Sequence, residues 1–180
     1  MDPRALRSTR LKNEHNELMK LNGSVIKIEP FGYEPYGSYR ITFNIRTIIS
    51  ATPTYQSKTI CILELPEGFP LSMPRLHVAD GSKPPWHVNW YNAIDGAWCA
   101  GDWNASESLV NYIYRCAKIL QFDTVITNPE NPANKAAIPF WNANKNNTDI
   151  IPCDRQTLPI ADAPPKITIL PTQKPKITIK

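Results

Sequence analysis

The period of the apolar positions changes twice along this chain, and each change marks an element. Near the N-terminus Leu6, Leu11, His15, Leu18 and Leu21 form a roughly helical stripe. Asp2 suits the cap of that helix with Pro3 at its first position, and Asn22–Gly23 supplies a stop. From there the period falls to two. Strands are expected at 24–30, 39–48, 57–65 and 75–80, with the turn between the second and third at 52–54. The second is the clearest: Tyr39, Ile41, Phe43, Ile45 and Thr47 alternate with Arg40, Thr42, Asn44 and Arg46. A helical period returns over 105–120, where Leu109, Tyr112, Ile113, Cys116, Ala117 and Leu120 share a face. One helix, four successive strands and later helices point to an α+β layer with a four-stranded antiparallel meander.

The segments between these elements are as informative. Pro66, Pro70 and Pro74 cannot donate ladder hydrogen bonds, so 65–76 reads as a rigid extended crossing, with Phe69 and Met73 held against the body. Residues 81–104 show no periodicity and are too long for a plain connection. Four tryptophans, Trp86, Trp90, Trp98 and Trp103, imply that this loop is ordered and pinned to the body. Residues 127–144 read as a proline-bracketed turn leading into a short helix expected from Pro132.

Composition adds a boundary. The net charge of +4 is uneven: residues 151–180 contribute +3 and the other 150 only +1. Residues 149–180, proline-rich and without apolar periodicity, read as a tail that buries no core, appended to a domain at 1–148. The tail repeats "PKITI" at 165–169 and 175–179. Each copy suits addition to a sheet edge, in this molecule or a partner, and equally suits a solvated low-complexity tail. The body has no basic stripe interleaved with aromatics, so nucleic acid is not an expected partner. No apolar run is long enough to cross a bilayer, and the N-terminus lacks a signal-peptide core, so the expected compartment is the cytoplasm. There Cys61, Cys99, Cys116 and Cys153 are expected to be free thiols. Cys61 on a strand and Cys116 on a helix's apolar face read as inert core residues. His77, His87 and Cys99 have no spacing that demands a metal, and no cofactor is expected.

The loop "WHVNWYNAIDGAWCAGDW", residues 86–103, is where chemistry is expected. Gly96 and Gly101 flank Cys99 and permit sharp turns and close approach by another chain. Most free cysteines are small buried hydrophobes, and Cys99 taken alone reads so; the long glycine-marked loop, the amide donor Asn89 and the motif order described below together favour a reactive thiol. If an acyl group passes through Cys99 to an amine, the oxyanion that forms needs such a donor, and Asn89 is the candidate. Asp95 and Asp102 are both candidates to take the amine's proton, and Asp102 beside Gly101 equally suits a plain turn.

The order of these elements resembles the ubiquitin-conjugating enzyme (UBC-like) fold over residues 5–144. "GFPLSMPRLHV" looks like that family's aromatic-proline crossing, and "HVN" at 87–89 looks like its His-Pro-Asn motif. "GAWC" at 96–99 is similar to the segment ending in the family's catalytic cysteine. "WNASESL" and "NPENPANKAA" resemble its Trp-Ser-Pro and Asn-Pro-x-x-Pro runs. The chain departs from the pattern at Val88, which replaces the proline, and in the twelve-residue step from His87 to Cys99, longer than the family's. Trp103, four residues after Cys99, shortens the following loop. These departures resemble divergent bacterial proteins of operons with activating enzymes and JAB peptidases, and of CBASS antiphage operons beside a cGAS-like nucleotidyltransferase.

The resemblance implies a transferase that carries an acyl group on Cys99 as a thioester, with Asn89 as oxyanion donor, His87 as a clasp of the loop and Asp102 nearby. The implied partners are a ubiquitin-like carrier or the C-terminus of a cGAS-like nucleotidyltransferase, with an activating enzyme if one is encoded nearby. Two alternatives remain at this level. One is a binding module joined to its partner by a Cys99 disulfide or a non-covalent complex. The other is an inactive scaffold of the related RWD type.

Overall fold

A computed structural model describes residues 3–91 and 98–159. Helix α1 (Pro3–Met19) is followed by strands β1 (Ile26–Pro30) and β2 (Ser38–Phe43), a small hairpin of β3 (Thr47–Ile48) and β4 (Tyr55–Gln56), then β5 (Thr59–Glu64) and β6 (Arg75–Val78). Helices α2 (Leu109–Leu120) and α3 (Ile138–Asn144) complete the order. The main sheet runs β1-β2-β5-β6, antiparallel throughout, so the meander expected from the alternation is present.

One face of the sheet forms the core. Ile26, Ile28, Tyr39, Ile41, Phe43, Cys61, Leu63 and Leu76 pack with Leu11, Leu18 and Leu21 from α1's side and with Leu109, Ile113, Cys116 and Leu120 of α2. Leu6, expected in the same stripe, is half exposed, and His15 is only partly buried, with its Nδ1 3.3 Å from the Tyr39 hydroxyl. The proposed Asp2 cap lies outside the described residues. The edge of β1 is closed by the end of α1's connection: the Asn22 side chain accepts from the Ile28 N–H and donates to its carbonyl, as a neighbouring strand would.

Four differences from the sequence pattern stand out, two set by helix caps and two by distant segments. The run at 39–48 is split, because the backbone of 44–46 is claimed by other segments. Asn44 N–H donates to Val25, Arg46 N–H to Asp154 Oδ2 (2.7 Å), and the Asn44 carbonyl accepts from Gln156 Nε2 (2.6 Å). Helix α2 begins at Leu109 because Ser108 caps it, its hydroxyl accepting from Asn111 N–H; residues 104–107 form a turn instead. The short helix starts later than Pro132, with a 3₁₀ turn at Lys135–Ala137 capped by Asn134, then α3. Residues 149–159 lie on the body rather than in a solvated tail, burying Ile151, Cys153 and Leu158. Their polar groups are matched locally: Cys153 N–H donates to the Gln121 carbonyl, and Gln121 Nε2 to the Gln156 carbonyl. The PKITI copies lie outside the described residues.

The crossing at 65–74 buries Phe69 and leaves Met73 exposed, against the expectation that both face inward. Below α3 a second, smaller core gathers Ile48, Val88, Phe122, Ala137, Phe140, Trp141, Ile151 and Cys153. The loop of interest spans the seam between the two cores. Among the described residues no helix is long and apolar enough to cross a membrane.

Candidate active site

Residues 86–90 straddle the seam by a turn, in which the Trp90 N–H donates to the His87 carbonyl (3.1 Å). Trp86 and Val88 pack into the smaller core, while Trp90 enters the main one with Trp98 and Ala100. Trp90 and Trp98 face each other as an antiparallel bridge, their rings edge to face at 4.5 Å. One step along that bridge, the Cys99 N–H donates to the Asn89 carbonyl at 2.8 Å. This two-rung ladder places Asn89 directly beside Cys99. Asp95 and Gly96 lie outside the described residues.

The four cysteines fall into two groups. Cys61 and Cys116 are wholly buried, Cys153 nearly so, and burial raises the pKa of each thiol, Cys153 to about 12. Cys153 also spends its S–H on the carbonyls of Arg46 and Leu120. Cys99 alone is partly exposed. A nucleophile must be reachable as a thiolate, and of the four only Cys99 meets the access condition.

Asn89 is buried and its amide is fully engaged. Nδ2 donates to the Cys99 carbonyl (3.1 Å) and, more weakly, to the Ile126 carbonyl (3.5 Å), while Oδ1 accepts from Asn128 N–H (3.1 Å). The side chain therefore staples the cysteine strand to the turn at 126–128. Only the longer bond to Ile126 could be surrendered cheaply to a new oxyanion.

His87 lies beneath this staple, buried, its ring edge against Phe122 (4.5 Å) and Trp141 (6.2 Å). Nδ1 accepts from Asn89 N–H (3.0 Å), which leaves the proton on Nε2, 3.2 Å from Thr127 Oγ1. The Thr127 hydroxyl in turn donates to the Asp123 carbonyl (2.7 Å), so the chain of donors is self-consistent. Desolvation pushes the imidazole pKa down to about 3, and the ring is neutral. With both nitrogens committed, His87 is neither a metal ligand nor a mobile base. Among the described residues no three His, Cys, Asp or Glu side chains gather into a metal site.

After Cys99 the chain turns at Gly101, whose φ of +86° L side chains rarely adopt. Asp102 is exposed, and its carbonyl accepts from Arg115 Nη2 (3.3 Å). Trp103 Nε1 donates to the Pro70 carbonyl (2.7 Å), and its ring meets Phe69 and Tyr112. Among the described residues, the tryptophans hold 86–91 and 98–103 against the body. The indole N–H groups of Trp86, Trp90 and Trp98 are nonetheless buried without a hydrogen-bond partner among the described residues.

The structure thus brings Cys99, Asn89 and His87 together and leaves Asp102 on the surface three residues on. Residues that the sequence did not single out complete the arrangement. Thr127 and the Asn128 N–H close the clasp on one side. Arg10, Glu14, Glu107 and Arg115 hold the segment after the cysteine on the other. The Asn-Pro run after Thr127 and the WNASESL segment carried a signal; Arg10 and Glu14 carried none, because an i,i+4 charge pair is common on helix surfaces.

A comparison with protein families found no model that matches the chain, and a comparison with curated proteins found no match.

Proposed function

We propose that this chain is a ubiquitin-conjugating-like acyl transferase of divergent bacterial type, working in antiphage defence, with Cys99 as its nucleophile. The observation that carries the reading is the contrast in thiol access: one partly exposed cysteine, backbone-fixed beside Asn89 and above a neutral His87, against three buried ones. The α+β order of helix, four-stranded meander and later helices is compatible with a UBC-like fold. The HVN and NPENPAN motifs, distant in sequence, meet in the clasp, as paired motifs of one site should.

In this reading the Cys99 thiolate attacks an incoming acyl thioester, forming its own thioester and releasing the donor's thiol. An amine then attacks that thioester, and collapse of the tetrahedral oxyanion returns the Cys99 thiolate. Asn89 Nδ2 turns from Ile126 towards the oxyanion, a contribution on the order of 10²–10³ in rate. Asp102, exposed and close in sequence, accepts the proton lost by the amine. The acyl group is the C-terminus of a ubiquitin-like carrier or of a cGAS-like nucleotidyltransferase, delivered as a thioester on an activating enzyme, whose thiol is the one released.

The test combines the chain, activating enzyme, ATP and carrier, and follows the adduct on a non-reducing gel. The expected product disappears in Cys99→Ala and is cleaved by hydroxylamine. An adduct that resists hydroxylamine but yields to dithiothreitol would replace this reading with a Cys99 disulfide to the partner. One observation favours that second reading: Asn89 already spends its amide on backbone partners, and disulfide exchange forms no oxyanion. The absence of any Cys99-dependent adduct would leave an RWD-like scaffold.

A further inference from the structure

The segment between Cys99 and α2 is held by α1, an element far away in sequence. Arg10 reaches it with both arms of its guanidinium. Nη1 donates to the Ala105 carbonyl (3.3 Å) and Nη2 to the Glu107 carbonyl, while Nε pairs with Glu14 Oε1 (2.7 Å). Glu14 is buried, and its second oxygen accepts the Leu109 N–H, the first of α2 (2.8 Å). A carboxylate there also meets the positive end of the helix. Glu107 continues the line, because its own carboxylate pairs with Arg115, and Arg115's other arm holds the Asp102 carbonyl. Arg10 also lies over the Phe69 ring (5.9 Å), which packs on Trp103.

Between Asp102 and Cys99 stand only Ala100, buried, and Gly101, whose backbone is set in a conformation that suits glycine. On its other side Cys99 is stapled by Asn89. Among the described residues the backbone around Cys99 is therefore held from two directions, and the second begins at Arg10.

We propose that the forked guanidinium of Arg10 is a positioning residue for Cys99, acting through residues 102–109. Without it the carbonyls of Ala105 and Glu107 lose a donor, Glu14 loses its counter-charge, and the segment opens on the Gly101 pivot. The proposal rests on the preceding reading only in naming Cys99 as the acting thiol. Its test needs neither carrier nor activating enzyme, so failure of the thioester assay and failure here are read separately.

The probe is iodoacetamide under native conditions, with each thiol's alkylation followed by peptide mass spectrometry. The buried Cys61, Cys116 and Cys153 report global opening within the same tube. Arg10→Ala is expected to speed Cys99 alkylation about fivefold or more, the change produced by roughly 1 kcal/mol of local opening, with the other three thiols unchanged. Arg10→Lys keeps a cation against Glu14 but lacks the fork. It is expected to recover thermal stability while Cys99 stays fast. Lys20→Ala, which breaks only the exposed Lys20–Glu17 pair, serves as the helix control and should leave all four rates at wild type. The proposal is overturned if Arg10→Ala leaves Cys99 unchanged, if all four thiols quicken together, or if Arg10→Lys restores the wild-type Cys99 rate.

Discussion

Cys99 is held on two sides by devices of opposite kind. Before it stands the clasp of His87, Asn89 and Thr127: neutral, buried, and directed almost wholly at backbone groups. After it stands the clamp of Arg10, Glu14, Glu107 and Arg115: charged, with the arginine side chains about one quarter exposed. A neutral buried hydrogen bond gains from low local dielectric and is indifferent to salt. An ion pair between a buried carboxylate and a partly exposed arginine is screened by salt, though less than a surface pair, and depends on both partners keeping their charge. The clasp sets where the cysteine strand lies, and the clamp sets how firmly the stretch after it stays closed.

The sharpest way to break this contrast is Asn89→Ala. It strands the Asn128 N–H and the Cys99 and Ile126 carbonyls in a largely buried place, and should cost about 3 kcal/mol in urea unfolding, with little change between low and high salt. A loss that shrinks strongly at high salt would mean that the clasp is electrostatic after all. On the clamp side, Glu14→Gln keeps the shape but can satisfy only one of Arg10 and Leu109 N–H. It should cost about 2 kcal/mol at low salt, and the wild-type advantage should narrow as salt rises. A salt-independent difference would assign Glu14 to helix capping alone.

The third effect concerns pH and belongs to the clasp. The folded pKa of His87 is about 3, below its ordinary value near 6.5. Between those values the unfolded chain takes up a proton that the native ring refuses. His87 therefore reduces stability progressively as pH falls from about 6.5 towards 3, by up to about 1.4 kcal/mol per pH unit, and has no such effect above 6.5. The difference in unfolding free energy between wild type and His87→Gln, followed from pH 7 to about pH 5, isolates this slope. A flat difference would show that His87 becomes protonated within the fold.

Much of the scaffold was legible because its periods are local facts. The alternation in β2 and β5 and the three-and-four spacing in α2 follow from backbone geometry, and the core uses those same residues. Pattern failed where distant segments claim backbone groups. Nothing at 39–48 announces that Asp154 and Gln156 will take the hydrogen bonds of 44–46, so one strand looked continuous. Ile151 and Leu158 looked like part of a tail because isolated apolar residues among prolines have no period, yet each found a pocket on the body.

The site divides in the same way. Order within the chain, together with the resemblance of HVN and GAWC to a known family's motifs, singled out Cys99, Asn89, His87 and Asp102, because residue types and their spacing are a property of the sequence itself. Which of the four thiols is reachable, that both nitrogens of His87 are spoken for, and that an arginine of the first helix grips the stretch after Cys99 were decided by the tertiary structure. Side-chain chemistry is written residue by residue. Access and hydrogen-bond partners depend on which distant segments the packed core brings together.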